Sequence, residues 1–197
     1  MEAGISLSRA ALLLVDVQRD LLHEDGALAR VGLPTLRTED RQRLLSQYRE
    51  LVAAMRHAGR PIVWVKTALR ADLVDSGHAR SWLEPRREAA GEFLVEGSWV
   101  AELMDGLPVE SSDYVVVKKS RILRNVHARK LIVTGGATTG CVWATVQDGL
   151  ALGYDMTVVA DAVYPPGAAG LAALARWCPV RPATDVLAEL AADPVEE

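Results

Sequence analysis

Residues Leu131 to Val142 read LIVTGGATTGCV, and the fold of the whole chain turns on this stretch. Leu131, Ile132 and Val133 are β-prone and apolar in succession, the pattern of a short buried strand. Gly135, Gly136 and Gly140 then permit backbone conformations that larger residues resist. From Cys141 onward the sequence VWATVQDGLALG has helical character and stops at Gly153, a residue suited to a C-cap. A cysteine at the start of a helix lies near exposed backbone N–H groups and the positive end of the helix dipole. Both favour the thiolate. Burial as a small apolar side chain is the commoner fate of a cysteine. The strand, glycine turn and helix around Cys141 set it apart from that fate, whereas Cys178, between Trp177 and Pro179, reads as a core thiol.

Two other glycine-loop chemistries fail on specific residues. A P-loop requires Gly, four residues, Gly, Lys and Ser or Thr. Gly135 and Gly140 have that spacing, but Cys141 and Val142 stand where the lysine and hydroxyl belong, so no charge meets a phosphate. A dinucleotide fingerprint requires G-x-G-x-x-G, and GGATTG lacks its middle spacing.

Outward from this stretch, apolar strand-like runs alternate with helical ones. Ala10 to Val17 (AALLLVDV) is a continuous apolar run interrupted only by Asp16. Arg41 to Ala58 carries apolar residues at helical spacing (Leu44, Leu45, Tyr48, Leu51, Val52, Met55) and is closed by Gly59. Further strands are expected at Pro61 to Thr67, Tyr114 to Lys118, Leu131 to Thr134 and Met156 to Ala160, with a short sixth near Cys178 to Val180. Val100 to Leu103 reads as a helical turn, Leu171 to Trp177 and Thr184 to Ala192 as helices. Strands apolar on both faces and separated by helices predict a mostly parallel sheet of about six strands covered on both sides, in one domain over residues 1–197. In such α/β folds, chemistry collects at the carboxyl ends of strands. Asp16, Lys118, Asp161 and, after its turn, Cys141 all stand at such ends.

Composition narrows the field of activities. The 197 residues are 50% hydrophobic and 24% charged, as in a soluble globular protein. A formal charge of −4 with no basic cluster argues against nucleic acid as a partner. Apolar runs such as Ala10 to Val15 are far too short to span a bilayer. The opening MEAGISLSRA matches neither a signal nor a transit peptide, and two cysteines make no disulfide framework, so a cytoplasmic location is expected. The four histidines are scattered without ligand spacing, and neither a metal nor another cofactor is expected.

An aspartate, a lysine and a cysteine meeting at a sheet edge divide the work of hydrolysis naturally. Cys141 attacks a carbonyl carbon as thiolate. Asp16 accepts the thiol proton and returns it to the leaving nitrogen. A lysine beside them favours both anions. Lys118 and Lys119 compete for that place. Side chains alternate along a strand, so one of them faces the site, and Lys118 directly continues the VVV run. Backbone N–H groups at Ala137 and Cys141 would hold the oxyanion. The reaction class is amide or ureide hydrolysis on a small molecule.

Beyond these residues, the chain resembles the isochorismatase-like cysteine hydrolases, a family that includes nicotinamidases, N-carbamoylsarcosine amidase and ureidoacrylate amidohydrolases. The resemblance rests on ALLLVDVQRDLL around Asp16, AGRPIVWVKT, GSWVAEL, YVVVKK and LIVTGGATTGCVWATVQDGLALGYDMTVVADAV, in that order from Leu12 to Val163. It implies a three-layer α/β/α sandwich, a catalytic triad of Asp16, Lys118 and Cys141, and a non-proline cis peptide at Gly136–Ala137. It also implies a homo-oligomer. Two departures stand out. KKSR runs almost directly into ILRNVHARKLIV, shorter than the family pattern by roughly ten residues, about 15 Å of helix. The Asp-x-His metal motif of many nicotinamidases has no counterpart. Gln18, Arg70 and Trp99 are candidate substrate-pocket residues, and Thr138 and Thr139 are candidates for shaping the turn. Rival readings are a vinyl-ether hydrolase of the isochorismatase type, which needs no thiol, and a catalytically idle binding or assembly domain on the same scaffold.

Overall fold

A computed structural model describes residues 10–32, 35–76, 80–117 and 129–192. Six strands, β1 (Ala10–Val15), β2 (Ile62–Lys66), β3 (Tyr114–Val117), β4 (Lys130–Gly136), β5 (Asp155–Tyr164) and β6 (Val180–Arg181), form one sheet. Their spatial order is β3-β2-β1-β4-β5-β6, and every pairing is parallel. β1 lies centrally, and no residue of it is more than 2% exposed. An unbroken AALLLV run satisfies that position because both faces of the strand are covered.

On one face, Leu12, Leu14, Trp64 and Ile132 pack against α3 (Thr38–His57) and α7 (Ala183–Ala192). On the other, Leu13, Val15, Val63 and Val133 meet α5 (Trp143–Ala151) and α6 (Ala168–Leu174) through Val146 and Leu174. The result is the expected three-layer sandwich. α3 buries the six apolar positions named from its spacing. Glu39 and Asp40 lie in its first turn and Arg56 and His57 in its last, which complements the helix dipole. It begins at Thr38, three residues earlier than apolar spacing alone indicates, because this opening turn is charged rather than apolar.

Three helices lack the periodic apolar spacing of α3. These are α1 (Arg19–Leu22), α2 (Ala27–Arg30) and α4 (Arg80–Ala90), the last containing Pro85. With the loops after β2 they enclose a small cluster of Ala27, Leu73, Leu83, Phe93 and Leu94. β5 also runs past the expected Ala160 to Tyr164, its register to β4 shifting between Val133 and Gly135. Asp161 therefore lies within β5 and not at its end. Its carboxylate accepts the Ala183 N–H at 2.8 Å, which makes it part of the start of α7 and removes it from the candidate site residues. No helix among the described residues is long and apolar enough to cross a membrane.

Candidate active site

In a parallel sheet of this order, the crossovers leave β1 and β4 in opposite directions, and a crevice opens between their carboxyl ends. Asp16 follows β1 directly, and the glycine turn ending in Cys141 follows β4. Val15 pairs with Gly135, so the two segments leave the sheet at the same level.

Asp16 is 2% exposed and adopts a left-handed backbone conformation (φ 51°), which aspartate tolerates better than most residues. Three separate groups hold it there. Its N–H donates to the Val65 carbonyl (2.7 Å), its carbonyl accepts the Tyr164 hydroxyl, and its Oδ1 accepts the Thr67 hydroxyl (3.0 Å). Thr67 is fixed in turn by Gln18, whose Oε1 accepts the Thr67 N–H (2.8 Å). The Gln18 amide nitrogen donates to the carbonyls of Thr67 (2.8 Å) and Ala101 (2.5 Å).

On the side of Cys141, two glycines admit close approaches. A Cβ on Gly135 (φ 96°) would lie 2.0 Å from the Val15 carbonyl oxygen, and one on Gly136 would lie 2.5 Å from the Tyr164 ring. The Gly136–Ala137 peptide is cis, as is Tyr164–Pro165. Thr138 to Val142 then form a π-helical turn, in which the Ala137 carbonyl accepts the N–H groups of Gly140 (2.9 Å) and Val142 (3.1 Å). Such wide turns recur at functional sites. Cys141 thus occupies a π-turn one residue before the last of that turn, with α5 continuing from Trp143, and it is partly buried. Thr138 donates to the Pro165 carbonyl at 2.8 Å. The Tyr164 phenol is held well above its usual range, by burial first and then by the nearby Tyr48, Asp16 and Cys141. Asp16 and Cys141 therefore both lie within electrostatic reach of one buried hydroxyl.

The remaining sequence candidates divide differently. Gln18, expected as a substrate-pocket residue, is fully buried. Its amide is committed to Thr67 and Ala101, and it braces the strand end that supports Asp16. Trp99 is 47% exposed, and its ring contacts are with Arg19, whose guanidinium lies 4.9 Å from the ring centroid, and edge-on with His23. Arg70 is exposed and binds Asp72 through two nitrogens (2.7 and 3.1 Å), which occupies the fork a substrate carboxylate would need. Cys178 is a core thiol that burial pushes up to about 11, unsuited to attack. Lys118 and Lys119 lie outside the described residues, as do His78 and His127. β3 is described as far as Val117, which pairs with Lys66, the residue before Thr67.

Sequence reasoning missed Tyr164, Thr67 and Asp20. Asp20 is fully buried, and its carboxylate accepts the N–H groups of Leu94 (2.7 Å) and Ala27 (3.3 Å). Burial raises its pKa to about 6 even against those two donors. A D-x-Q-x-D run after a buried strand carries the signal for both Gln18 and Asp20, since polar residues there must find partners as the chain dives under the next loop.

The comparisons with known proteins agree with this architecture. The family model described as Isochorismatase domain matches residues 10–174. The ureidoacrylate amidohydrolase RutB of Enterobacter sp. is 30% identical over 178 residues, which cover 80% of this chain and 76% of that protein. Among solved structures, a cysteine hydrolase from Pseudomonas syringae pv. phaseolicola superposes with a TM-score of 0.77 at 20% identity, covering 93% of both chains. The N-carbamoylsarcosine amidase of Thermoplasma acidophilum superposes with a TM-score of 0.69 at 22% identity, covering 88% of this chain and 96% of that one. By the span of the matching family model and by its sheet order, the chain belongs to the isochorismatase family.

Proposed function

We infer that this protein is a cysteine hydrolase that cleaves the C–N bond of a small amide or ureide through a thioester. The observation that carries the reading is the meeting of Asp16 and the Cys141 turn at the β1–β4 crevice, both around the buried Tyr164 hydroxyl. The amide- and ureide-cleaving relatives supply the bond type.

In this mechanism the Cys141 thiol gives its proton to the Asp16 carboxylate, and the sulfur attacks the substrate carbonyl carbon. The C=O electron pair moves to oxygen, where the N–H groups of Ala137 and Cys141 receive it. Loss of one such donor typically costs about 3 kcal/mol in the barrier. The tetrahedral species collapses, the C–N bond breaks, and Asp16 passes its proton to the departing nitrogen. Water then attacks the thioester as Asp16 takes its proton, and the acid leaves as the thiol is restored. Lys118 is the proposed third member, its positive charge favouring thiolate and carboxylate together. In support, β3 brings Val117 alongside Lys66, and Thr67, the residue just after β2, touches Asp16.

The test is the pH dependence of Cys141 alkylation in a Cys178→Ser background, with Asp16→Asn and Lys118→Ala beside it. Fast alkylation below neutral pH should slow by about 100-fold or more in the aspartate variant. The same variant should lose turnover of ureidoacrylate or N-carbamoylsarcosine, whichever the wild type accepts. An ordinary thiol profile near pKa 8.5 in all the proteins would sink the mechanism.

A further inference from the structure

Tyr164 closes β5, and it and Pro165 touch the candidate site at three points. In the sheet ladder it pairs with Gly136, and its ring lies so close that a Cβ there would meet Cε2 at 2.5 Å. Its hydroxyl crosses β4 to reach the Asp16 carbonyl at the end of β1. The next residue, Pro165, accepts the Thr138 hydroxyl from the π-turn that carries Cys141. One dipeptide therefore contacts Asp16 and the turn that carries Cys141. The contact with Asp16 does not follow from core packing, because an apolar ring of the same shape would fill the space without reaching it.

We propose that Tyr164 is a positioning residue, which ties the left-handed backbone of Asp16 to the nucleophile's turn and so fixes the direction of the proton-transferring carboxylate. This rests on the hydrolase reading above. Asp16 holds a conformation that L-residues enter at some cost, and the Tyr164 hydroxyl donates to its carbonyl there. The tyrosine is suited to donate and not to exchange protons. The titratable groups facing its hydroxyl are Tyr48 of α3, Asp16 and Cys141, and burial together with these neighbours keeps the phenol protonated. With the hydroxyl absent, Asp16 would spread over several orientations, and fewer of them would meet the thiol.

The experiment compares wild type, Tyr164→Phe, Asp16→Asn and the double variant in a Cys178→Ser background, by iodoacetamide alkylation of Cys141 from pH 5 to 9. Urea denaturation runs in parallel. The expected result is a folded Tyr164→Phe protein whose alkylation below neutral pH slows by about 5- to 20-fold, its profile moving toward that of an ordinary thiol. The double variant should be no slower than Asp16→Asn alone, because the hydroxyl acts through Asp16. Tyr164→Met fills similar space without a hydroxyl and gives the same reading should the phenylalanine variant fold poorly. The inference is overturned by a wild-type profile in Tyr164→Phe, by a change confined to stability, or by a double variant slowed multiplicatively. An ordinary thiol in the wild type itself would overturn the hydrolase reading as well, so the two failures are told apart.

Discussion

The carboxylate of Asp16 accepts the Thr67 hydroxyl, whereas that of Asp20, four residues on, accepts two backbone N–H groups in a fully buried setting. Burial raises the Asp20 pKa from an ordinary 3.8 to about 6. Between those values the folded chain keeps a proton that the unfolded chain releases. The contribution to stability is therefore complete below about pH 4 and is lost as pH rises through 6. Asp20→Asn is neutral throughout and lacks this slope. In urea denaturation, the wild type should lose ground to that variant between pH 4 and 7 by on the order of 1–3 kcal/mol. A gap between the two that does not vary with pH would show that the carboxyl stays ionised in the fold.

At the level of elements, the segments after β1 and β2 owe their shape to side chains that bind backbone. Val17 to Asp20 pairs with Val100 to Met104, and Gln18 joins this region to Thr67. Arg87 of α4 donates to five carbonyls, those of Leu69, Arg70, Ala71, Phe93 and Leu94, and so binds the two loops around the Leu69–Val95 bridge. Lysine offers three donors from a single atom and cannot copy that planar fork. Arg87→Lys should destabilise by about 2–4 kcal/mol and hasten proteolysis within residues 69–76. A urea midpoint equal to that of the wild type would mean that the loops hold without the fork. These elements were the least legible in the sequence. Arg80 to Ala90 has Pro85 in its interior and few apolar residues, so it lacks the periodicity that announced α3. Polar residues such as Gln18 and Arg87 look like surface until the loops that cover them are known.

Across the whole molecule, the order of strands puts β1 beside β4, and that adjacency brings Asp16 and the Cys141 turn together as the candidate site. The fold class was readable because AALLLV and LIVTGG are apolar on both faces, which only a covered parallel sheet accommodates. Asp16 and Cys141 were readable as candidates because each follows such a run. Tyr164 was not, since β5 runs four residues beyond its apolar MTVVA segment, and a register shift carries it to the site. The central strand also holds both layers together. Leu14→Ala, at a fully buried position in β1, should lower stability by about 2–5 kcal/mol in a single cooperative urea transition. Leu152→Ala, at a residue 63% exposed, should change it by less than about 0.5 kcal/mol. Comparable losses in the two variants would mean that the core is not centred on β1.

The amide of Gln18 meets the backbone of Thr67 in both directions, as a neighbouring strand would if it continued past β1. The sheet thus gains one more rung, made by a side chain at the level where the main chain of Asp16 has already turned away. The chain can leave the sheet there without abandoning its hydrogen-bonding partner just beyond β2. What allows this is reach: asparagine carries the same amide on a stem one methylene shorter, so the freedom of the chain to turn at Asp16 hangs on a single carbon.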